Sequence, residues 1–172
     1  MKKKKQYKEY DEVTLKRLQK TELEILKDFM AICDRHGLDY FGIAGTGIGA
    51  LRHQGFIPWD DDIDVALPRD DFEKFLKYLE AEMGDKYLIM NTEHYPDYPL
   101  MTTRMTLRGS RFKEEALKNI KAPLGMFLDL YPLDKMSDNP KEAKKQARDA
   151  WFWSKILILR SIPFPMLGFS GW

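Results

Sequence analysis

Residues 45–64 read Gly-Thr-Gly-Ile-Gly-Ala-Leu-Arg-His-Gln-Gly-Phe-Ile-Pro-Trp-Asp-Asp-Asp-Ile-Asp, so a glycine-rich turn and four aspartates fall within twenty positions. At the end of this stretch Asp62 and Asp64 flank Ile63. On an extended strand the two carboxylates share one face, while Ile63 points into the core. The adjacent carboxylates of residues 60–62 repel one another, so a cation or a hydrogen-bond network must hold them if they are partly buried. The stretch predicts a site for phosphate and for a metal ion such as Mg²⁺, which binds few carboxylates together with phosphate oxygens.

The glycine-rich turn has two possible uses. Gly45 and Gly47 match the spacing of a dinucleotide-binding fingerprint that follows a strand. That fold needs a full crossover helix before the next strand, whereas Gly55 and Pro58 cut this helix after about two turns. In the simpler use, the backbone N–H groups of residues 45–47 and the N-terminus of the following helix cradle phosphate, with the Thr46 hydroxyl as a further donor.

Two alternative roles for the aspartates are disfavoured. A calcium loop would use Asp60, Asp62 and Asp64 as its first, third and fifth positions. It would then need Gly at the position of Val65 and Glu at the position of Asp71. A solvated acidic loop would lack the apolar side chains that alternate with these acids and tie the segment into a core.

Further charged residues are candidates for the same site. Arg52 and His53 lie at the end of the predicted short helix, close enough in sequence to reach the same phosphates. Arg104 and Arg108 share one face of a predicted strand and are candidates for clamping a diphosphate. Asp129 is a lone acid inside an apolar strand, where burial without a partner is costly, so it is predicted to be a third metal ligand or a general base. The predicted substrate-binding residues are Gly45, Thr46, Gly47, Arg52, His53, Asp60, Asp61, Arg104 and Arg108.

The composition is that of one globular domain. The chain has 172 residues, of which 44% are hydrophobic and 32% charged, and its formal charge of +1 gives no field for general nucleic-acid binding. Residues 1–12 are predicted to form a basic arm and residues 13–172 the domain. No apolar stretch follows the arm, as a secretory signal would require, so a cytoplasmic location is expected. The single cysteine, Cys33, excludes an intrachain disulfide and has the spacing of a core position on a helix.

Hydrophobic periodicity and turn residues predict both helices and strands. Helices are predicted at about 13–36, 46–53, 69–82 and 141–160. Strands are predicted at about 38–44, 63–67, 87–90, 100–107 and 126–131. The apolar segment 151–172 is interrupted by charges and prolines and is too broken to span a bilayer. A domain edge that further protein covers, or a membrane-facing lip, fits this segment better.

Residues 45–69 as a whole, GTGIGALRHQGFIPWDDDIDVALPR, resemble the LicD family of phosphocholine transferases, to which the fukutin-related sugar-modifying proteins are also similar. Residues 125–134, GMFLDLYPLD, resemble the second motif of that family. The resemblance implies an α+β, nucleotidyltransferase-like fold with a mixed sheet flanked by helices. It also implies that Asp62 and Asp64 are the paired catalytic metal carboxylates and that Asp129 is the third.

The activity that the resemblance implies is transfer of a phosphoalcohol. Family members move phosphocholine or a related group from a CDP-linked donor to a hydroxyl of a cell-surface glycan, such as lipopolysaccharide or teichoic acid, and release CMP. The implied cofactor is Mg²⁺ or Mn²⁺. The implied partners are CDP-choline or another CDP-alcohol and a glycan or lipid-linked glycan acceptor. The basic arm and the apolar segment would suit peripheral contact with the inner face of the membrane, with no nucleic acid bound.

The sequence departs from the family pattern in two respects. Ile48 and Gly49 stand where the family has a leucine-like pair. The family usually extends well past position 172, so the domain is expected to lack its C-terminal part.

Two alternative functions stay open. A nucleotidyltransferase that moves a nucleoside monophosphate from a nucleoside triphosphate to a small-molecule hydroxyl would need the same metal and phosphate groups. A non-enzymatic nucleotide-binding module is the other alternative.

Overall fold

The structure, a computed structural model, describes residues 10–112, 114, 117 and 120–161. The first nine residues of the predicted basic arm, and the part of the apolar segment beyond residue 161, lie outside this range. Within the described residues the elements follow in the order α1 (Glu12–His36), β1 (Phe41–Gly42), α2 (Ala44–His53), β2 (Asp64–Pro68), α3 (Arg69–Met83), β3 (Tyr87–Met90), β4 (Thr103–Leu107), β5 (Phe127–Leu133) and α4 (Pro140–Ser161).

The strands form one mixed sheet in the order β1-β2-β5-β4-β3. β2 and β5 pair in parallel at the centre, and the pairs β1–β2, β5–β4 and β4–β3 are antiparallel. Four of the five β2 residues and the first four β5 residues are buried, as expected for central strands. A mixed sheet with flanking helices confirms the predicted α+β class.

The core lies where α1 and α3 pack against the apolar side chains of the sheet. Phe29 of α1 and Phe75 of α3 are fully buried, with ring centroids 4.7 Å apart. Both belong to one cluster with Leu67 of β2 and Leu128 of β5. Cys33 is buried in the same cluster, which confirms its predicted core position.

The long first helix is confirmed, with its ends set by caps. The Asp11 side chain accepts a hydrogen bond from the Thr14 N–H at 2.9 Å, as an N-cap residue does. Gly37 ends the helix in the left-handed conformation, at a φ of 62°. At the other end of the chain, the Asn139 side chain accepts a hydrogen bond from the Lys141 N–H at 3.0 Å and caps α4.

The first strand is shorter than predicted. Of the predicted strand at 38–44, two residues pair with β2, Phe41 opposite Ala66 and Gly42 opposite Val65. Ala44 has a φ of 47° and turns the chain away from the sheet edge. Helix α2 therefore begins at residue 44 instead of 46, which places the first two glycines of the predicted turn inside its first turns.

No helix in the described part of the chain combines the length and the apolar character that crossing a bilayer requires. Several large apolar side chains of α4 are nevertheless exposed, namely Trp151, Phe152, Trp153, Ile156 and Leu159. They lie in the second half of that helix, on the segment that the sequence marked as apolar.

Two glycines of α2 allow close approach of neighbouring backbone. A Cβ atom added at Gly47 would lie 2.8 Å from the carbonyl oxygen of Gly42 in β1. A Cβ atom at Gly49 would collide with the carbonyl oxygen of Gly55 and lie 3.0 Å from the backbone nitrogen of Ile57. These contacts hold α2 against β1 on one side and against the returning loop on the other.

Gly49→Ala is therefore expected to destabilise the protein by about 1–3 kcal/mol, because backbone atoms have to move to make room for the added methyl group. Gly55→Ala is the matched control, since a Cβ atom there meets nothing within 4 Å. Its effect should stay within about 0.5 kcal/mol. Urea unfolding followed by circular dichroism measures both values, and equal stabilities of the two variants would contradict the packing described here.

Candidate metal and phosphate site

Three charged side chains lie in a row across the middle of the sheet. The strand register sets Asp64 of β2 opposite Asp129 of β5, and Asp129 opposite Arg104 of β4. All three are buried, with exposed fractions of 9%, 6% and 5% respectively. Buried charges need partners, so this row requires compensation that the apolar strands around it cannot provide.

Arg104 compensates part of the negative charge. Its Nε donates to Asp129 Oδ1 at 2.9 Å, and its Nη1 donates to Glu114 Oε2 at 2.7 Å. The guanidinium carbon also lies 3.6 Å from the centre of the Phe127 ring. Arg104 is thus held by two carboxylates and one aromatic face, and it fixes the position of Asp129.

The two sheet aspartates have perturbed acidities. Burial raises the pKa of Asp129, and the charge and hydrogen bond of Arg104 act in the opposite direction. Burial also raises the pKa of Asp64, while a hydrogen bond with the Tyr131 hydroxyl and the charge of Arg104 oppose the rise. In both cases the net shift is upward, so the existing cations and donors do not fully stabilise the charged forms.

A second group of acids lies in the loop before β2. Asp60, Asp61 and Asp62 are partly buried and can each turn one carboxylate oxygen toward a common point, these oxygens lying within 4.8 Å of one another. Burial raises the pKa of Asp62 from 3.8 to about 7, and the charges of Asp64, Asp60 and Asp61 add to the rise. Asp62 is thus affected by the charges of the other loop acids and of both sheet aspartates.

The loop is held in place by α1 and α2. The Asp64 N–H donates to Thr46 Oγ1 at 2.8 Å, and Gln19 Nε2 donates to the carbonyl oxygen of Asp60 at the same distance. A Cβ atom at Gly45 would collide with the Asp60 carboxylate, so a larger residue there would displace this side chain of the loop. The N-terminus of α2 therefore lies next to the aspartates, as the phosphate-binding hypothesis requires.

The three residues predicted to cradle phosphate differ in their free donors. Gly45 and Thr46 are in the first turn of α2, where backbone N–H groups have no partner within the helix. The Gly47 N–H donates to the carbonyl oxygen of Ile43 at 3.0 Å. Helix geometry therefore leaves Gly45 and Thr46 as the better placed backbone donors, while the Thr46 hydroxyl already accepts from Asp64.

The predicted basic residues separate into two groups. Arg104 is joined to the acids, as described above. Arg108 lies four positions further along the chain, and its Nε donates to the carbonyl oxygens of Gly84 at 2.8 Å and Tyr87 at 3.2 Å. Arg52 and His53 are exposed in the last turn of α2, about 10 Å along the helix axis from its first turn. The structure does not bring these last three residues together with the aspartates, and their substrate contacts stay predictions.

Glu22 of α1 is a residue that the sequence reasoning missed. It is 1% exposed, and its Oε2 has no hydrogen-bond partner among the described residues. Burial raises its pKa to about 9, and the charges of Asp62, Asp61 and Asp60 contribute. A signal was present in the sequence, because Glu22 lies four residues after Leu18 and three before Ile25, on the apolar stripe of the helix.

Tyr131 was missed as well. It follows Asp129 by two positions on β5, and its hydroxyl is hydrogen-bonded to Asp64. Burial raises the pKa of this hydroxyl, and the charges of Asp129 and Asp64 add to the rise, so it stays a neutral donor. The period of two along a strand would have placed it on the face of Asp129.

An apolar cavity of about 450 Å³ adjoins the site. It lies between α1 and α2 and shares two polar residues, Thr46 and Asp60, with the site. The apolar part of its wall is formed by Leu23, Leu26, Ala50, Phe56 and Ile63. Apolar walls with a few polar groups are typical of small-molecule sites.

The fold and the site together define an α+β domain with an acidic centre suited to a divalent cation and phosphate. A family model described as the LicD/FKTN/FKRP nucleotidyltransferase domain matches residues 37–166. The chain therefore belongs to the LicD/FKTN/FKRP family, which confirms the resemblance and agrees with the nucleotidyltransferase-like fold.

Curated relatives agree with this assignment. The chain is 37% identical over 131 residues to the lipopolysaccharide cholinephosphotransferase LicD of Haemophilus influenzae, an alignment that covers 75% of this chain and 48% of that protein. It is 32% identical over 72 residues to an uncharacterised protein of Rickettsia typhi, covering 42% of this chain and 23% of the relative. The chain thus spans about half or less of the length of these relatives.

The pH dependence of stability tests the electrostatics of this site. In metal-free protein, folded Asp62 keeps its proton up to a pKa of about 7, whereas the unfolded chain releases it near 3.8. The folded state therefore binds more protons between these values, and this residue makes stability fall as pH rises from about 4 to about 7. Asp62→Asn is expected to make that fall shallower.

Urea unfolding in EDTA at several pH values between 4 and 8 measures the effect. Asp70→Asn is the matched control, because Asp70 is an exposed acid on α3. It should change the slope of stability against pH less than Asp62→Asn does. An unchanged slope in Asp62→Asn would contradict the electrostatic description of the loop.

Proposed function

We propose that this domain transfers phosphocholine, or a related phosphoalcohol, from a CDP-linked donor to a hydroxyl of a cell-surface glycan and releases CMP. The observation that carries the proposal is the in-register pair of buried aspartates, Asp64 and Asp129, beside the Asp60–Asp62 loop in a chain of the LicD/FKTN/FKRP family. The relative in Haemophilus influenzae is named as a lipopolysaccharide cholinephosphotransferase, which supports this reaction class.

The proposed ligands of Mg²⁺ or Mn²⁺ are Asp62, Asp64 and Asp129. The chemistry of these donors fits a hard cation, because all three are carboxylates. Burial and the neighbouring carboxylates raise the pKa of Asp62, and burial raises the pKa of Asp64. When bound, such an ion neutralises negative charge on the donor's diphosphate. Asp60 and Asp61 are proposed to contact the substrate from the same loop.

The proposed reaction is an in-line displacement at phosphorus. The acceptor hydroxyl oxygen forms a bond to the phosphorus next to choline, the bond from that phosphorus to the bridging oxygen breaks, and CMP leaves with the bridging oxygen. The proton of the acceptor hydroxyl passes to a carboxylate of the site, and Asp129 is the proposed acceptor of this proton. Arg104 holds Asp129 through one carboxylate oxygen, and Tyr131 orients Asp64.

The remaining substrate contacts come from α2 and the basic residues. The backbone N–H groups of Gly45 and Thr46 are proposed to bind donor phosphate at the helix N-terminus. Further substrate contacts, more distant from the aspartates, are proposed for Gly47, Arg52, His53 and Arg108. These contacts require the substrate to extend along α2 or over the sheet edge. The proposed acceptors are lipopolysaccharide or teichoic acid, free or lipid-linked, reached at the cytoplasmic face of the membrane.

A nucleotidyl transfer is the second candidate function. It is supported by the description of the matching family model as a nucleotidyltransferase domain. Such an enzyme would place the same aspartates around a nucleoside triphosphate and transfer its monophosphate to a hydroxyl. Donor preference separates the two functions, since the first needs a CDP-alcohol and the second a nucleoside triphosphate.

Calorimetric titration of the purified chain tests the proposal. CDP-choline, CDP-ribitol and ATP are titrated with Mg²⁺ and again with excess EDTA, and NAD serves as the dinucleotide control. A CDP-alcohol is expected to bind in the presence of the metal, with binding at least about tenfold weaker in Asp64→Asn and unchanged in Asp70→Asn. Binding of ATP instead would favour nucleotidyl transfer, and metal-independent binding would favour a non-enzymatic module.

A further inference from the structure

Glu22 is a buried acid whose position the packing of the core does not account for. Its neighbours on the stripe of α1, Leu18 and Ile25, are buried apolar side chains. A carboxyl group at such a position costs free energy unless a partner satisfies it, yet its Oε2 has no hydrogen-bond partner among the described residues. A leucine would serve the packing better, so the carboxyl group needs another role.

The contacts of neighbouring residues show which part of the protein the Glu22 face of α1 meets. Gln19, one turn earlier, donates to the carbonyl oxygen of Asp60 at 2.8 Å. Leu23, the next residue, lines the cavity that Asp60 also lines. Residues three apart lie on one face of a helix, so Glu22 lies on the face of α1 that contacts the Asp60–Asp62 loop through Gln19. Its strongest charge interactions are with Asp62, Asp61 and Asp60.

The acids around Glu22 outnumber the described cations that pair with them. The charges of the three loop acids and of Asp129 all act on Glu22, while Arg104 pairs with Asp129 and is shared with Glu114. Lys and Arg side chains compensate exposed acids elsewhere, for example Lys27 beside Glu24 on the same helix. A divalent ion is the simplest group that stabilises neighbouring carboxylates of this kind.

We propose that Glu22 is a further carboxylate of the cation site, supplied by α1 from beneath the Asp60–Asp62 loop. The inference rests on the metal dependence of the proposed function and extends the ligand set from the two motifs to a helix outside both of them. It accounts for the unpartnered carboxyl group among aspartates in the core. It also ties α1 to the loop through the bound ion, in addition to the Gln19 hydrogen bond.

Manganese binding to the metal-free chain tests this inference without substrate or turnover. The dissociation constant for Mn²⁺ is measured by electron paramagnetic resonance of the free ion for the wild type, Glu22→Gln, Glu22→Asp and Glu24→Gln. Glu22→Gln is expected to bind Mn²⁺ about tenfold or more weakly. Glu22→Asp keeps the carboxylate but shortens the side chain. Its dissociation constant for Mn²⁺ is expected to lie between those of the wild type and Glu22→Gln. Glu24→Gln, whose side chain is 58% exposed, should match the wild type.

Thermal unfolding with and without Mn²⁺ separates this role from a structural one. Without metal, Glu22→Gln is expected to unfold at the wild-type temperature or higher, because it removes a buried acid from among aspartates. With metal, its gain in unfolding temperature should be smaller than that of the wild type. Lower stability under both conditions with an unchanged dissociation constant would show a structural role and overturn the inference.

The outcomes also separate this inference from the proposed function. If the wild type binds Mn²⁺ and Glu22→Gln binds it within twofold, the role of Glu22 is wrong and the proposed function stands. If the folded wild type binds no Mn²⁺, the metal-dependent function is overturned, and the role of Glu22 with it.

Discussion

The parallel pairing of β2 with β5 is the constraint on which the site depends. It sets Asp64 opposite Asp129 in the middle of a sheet whose apolar side chains pack against α1 and α3. A shift of one residue in this register would turn each acid into the core and each core residue out of it. Because the core fixes the register so strongly, the carboxylates stay in place despite their mutual repulsion.

Among the described residues, the side chains around these acids do not balance all of their negative charge. Arg104 is committed to Asp129 and Glu114, and Tyr131 supplies one hydrogen bond to Asp64. Burial, together with the repulsion that remains among these acids, raises the pKa of Asp62. Unfavourable electrostatic energy of this kind is typical of functional sites, where binding of a ligand of opposite charge reduces it.

Much of the fold could be predicted from the sequence because its signals are local. The apolar stripe and Gly37 defined α1. Asp129 was evident because it interrupts an apolar strand, and Asp62 and Asp64 because they flank Ile63 at the start of another. The short β1 could not be predicted, since its pairing depends on how Ala44 turns the chain at the sheet edge. Nor could the different partners of Arg104 and Arg108 be predicted, because the carbonyl groups that bind Arg108 belong to Gly84 and Tyr87, 24 and 21 positions earlier in the chain.

The central claim is that Asp62, Asp64 and Asp129 together bind a divalent cation at the donor's diphosphate. Anomalous diffraction from crystals grown with Mn²⁺ and CDP-choline tests it most directly. The account predicts a manganese peak at coordination distance from carboxylate oxygens of all three residues and from a phosphate oxygen. Ordered CDP-choline with no manganese among these carboxylates, or with manganese bound elsewhere, would contradict it.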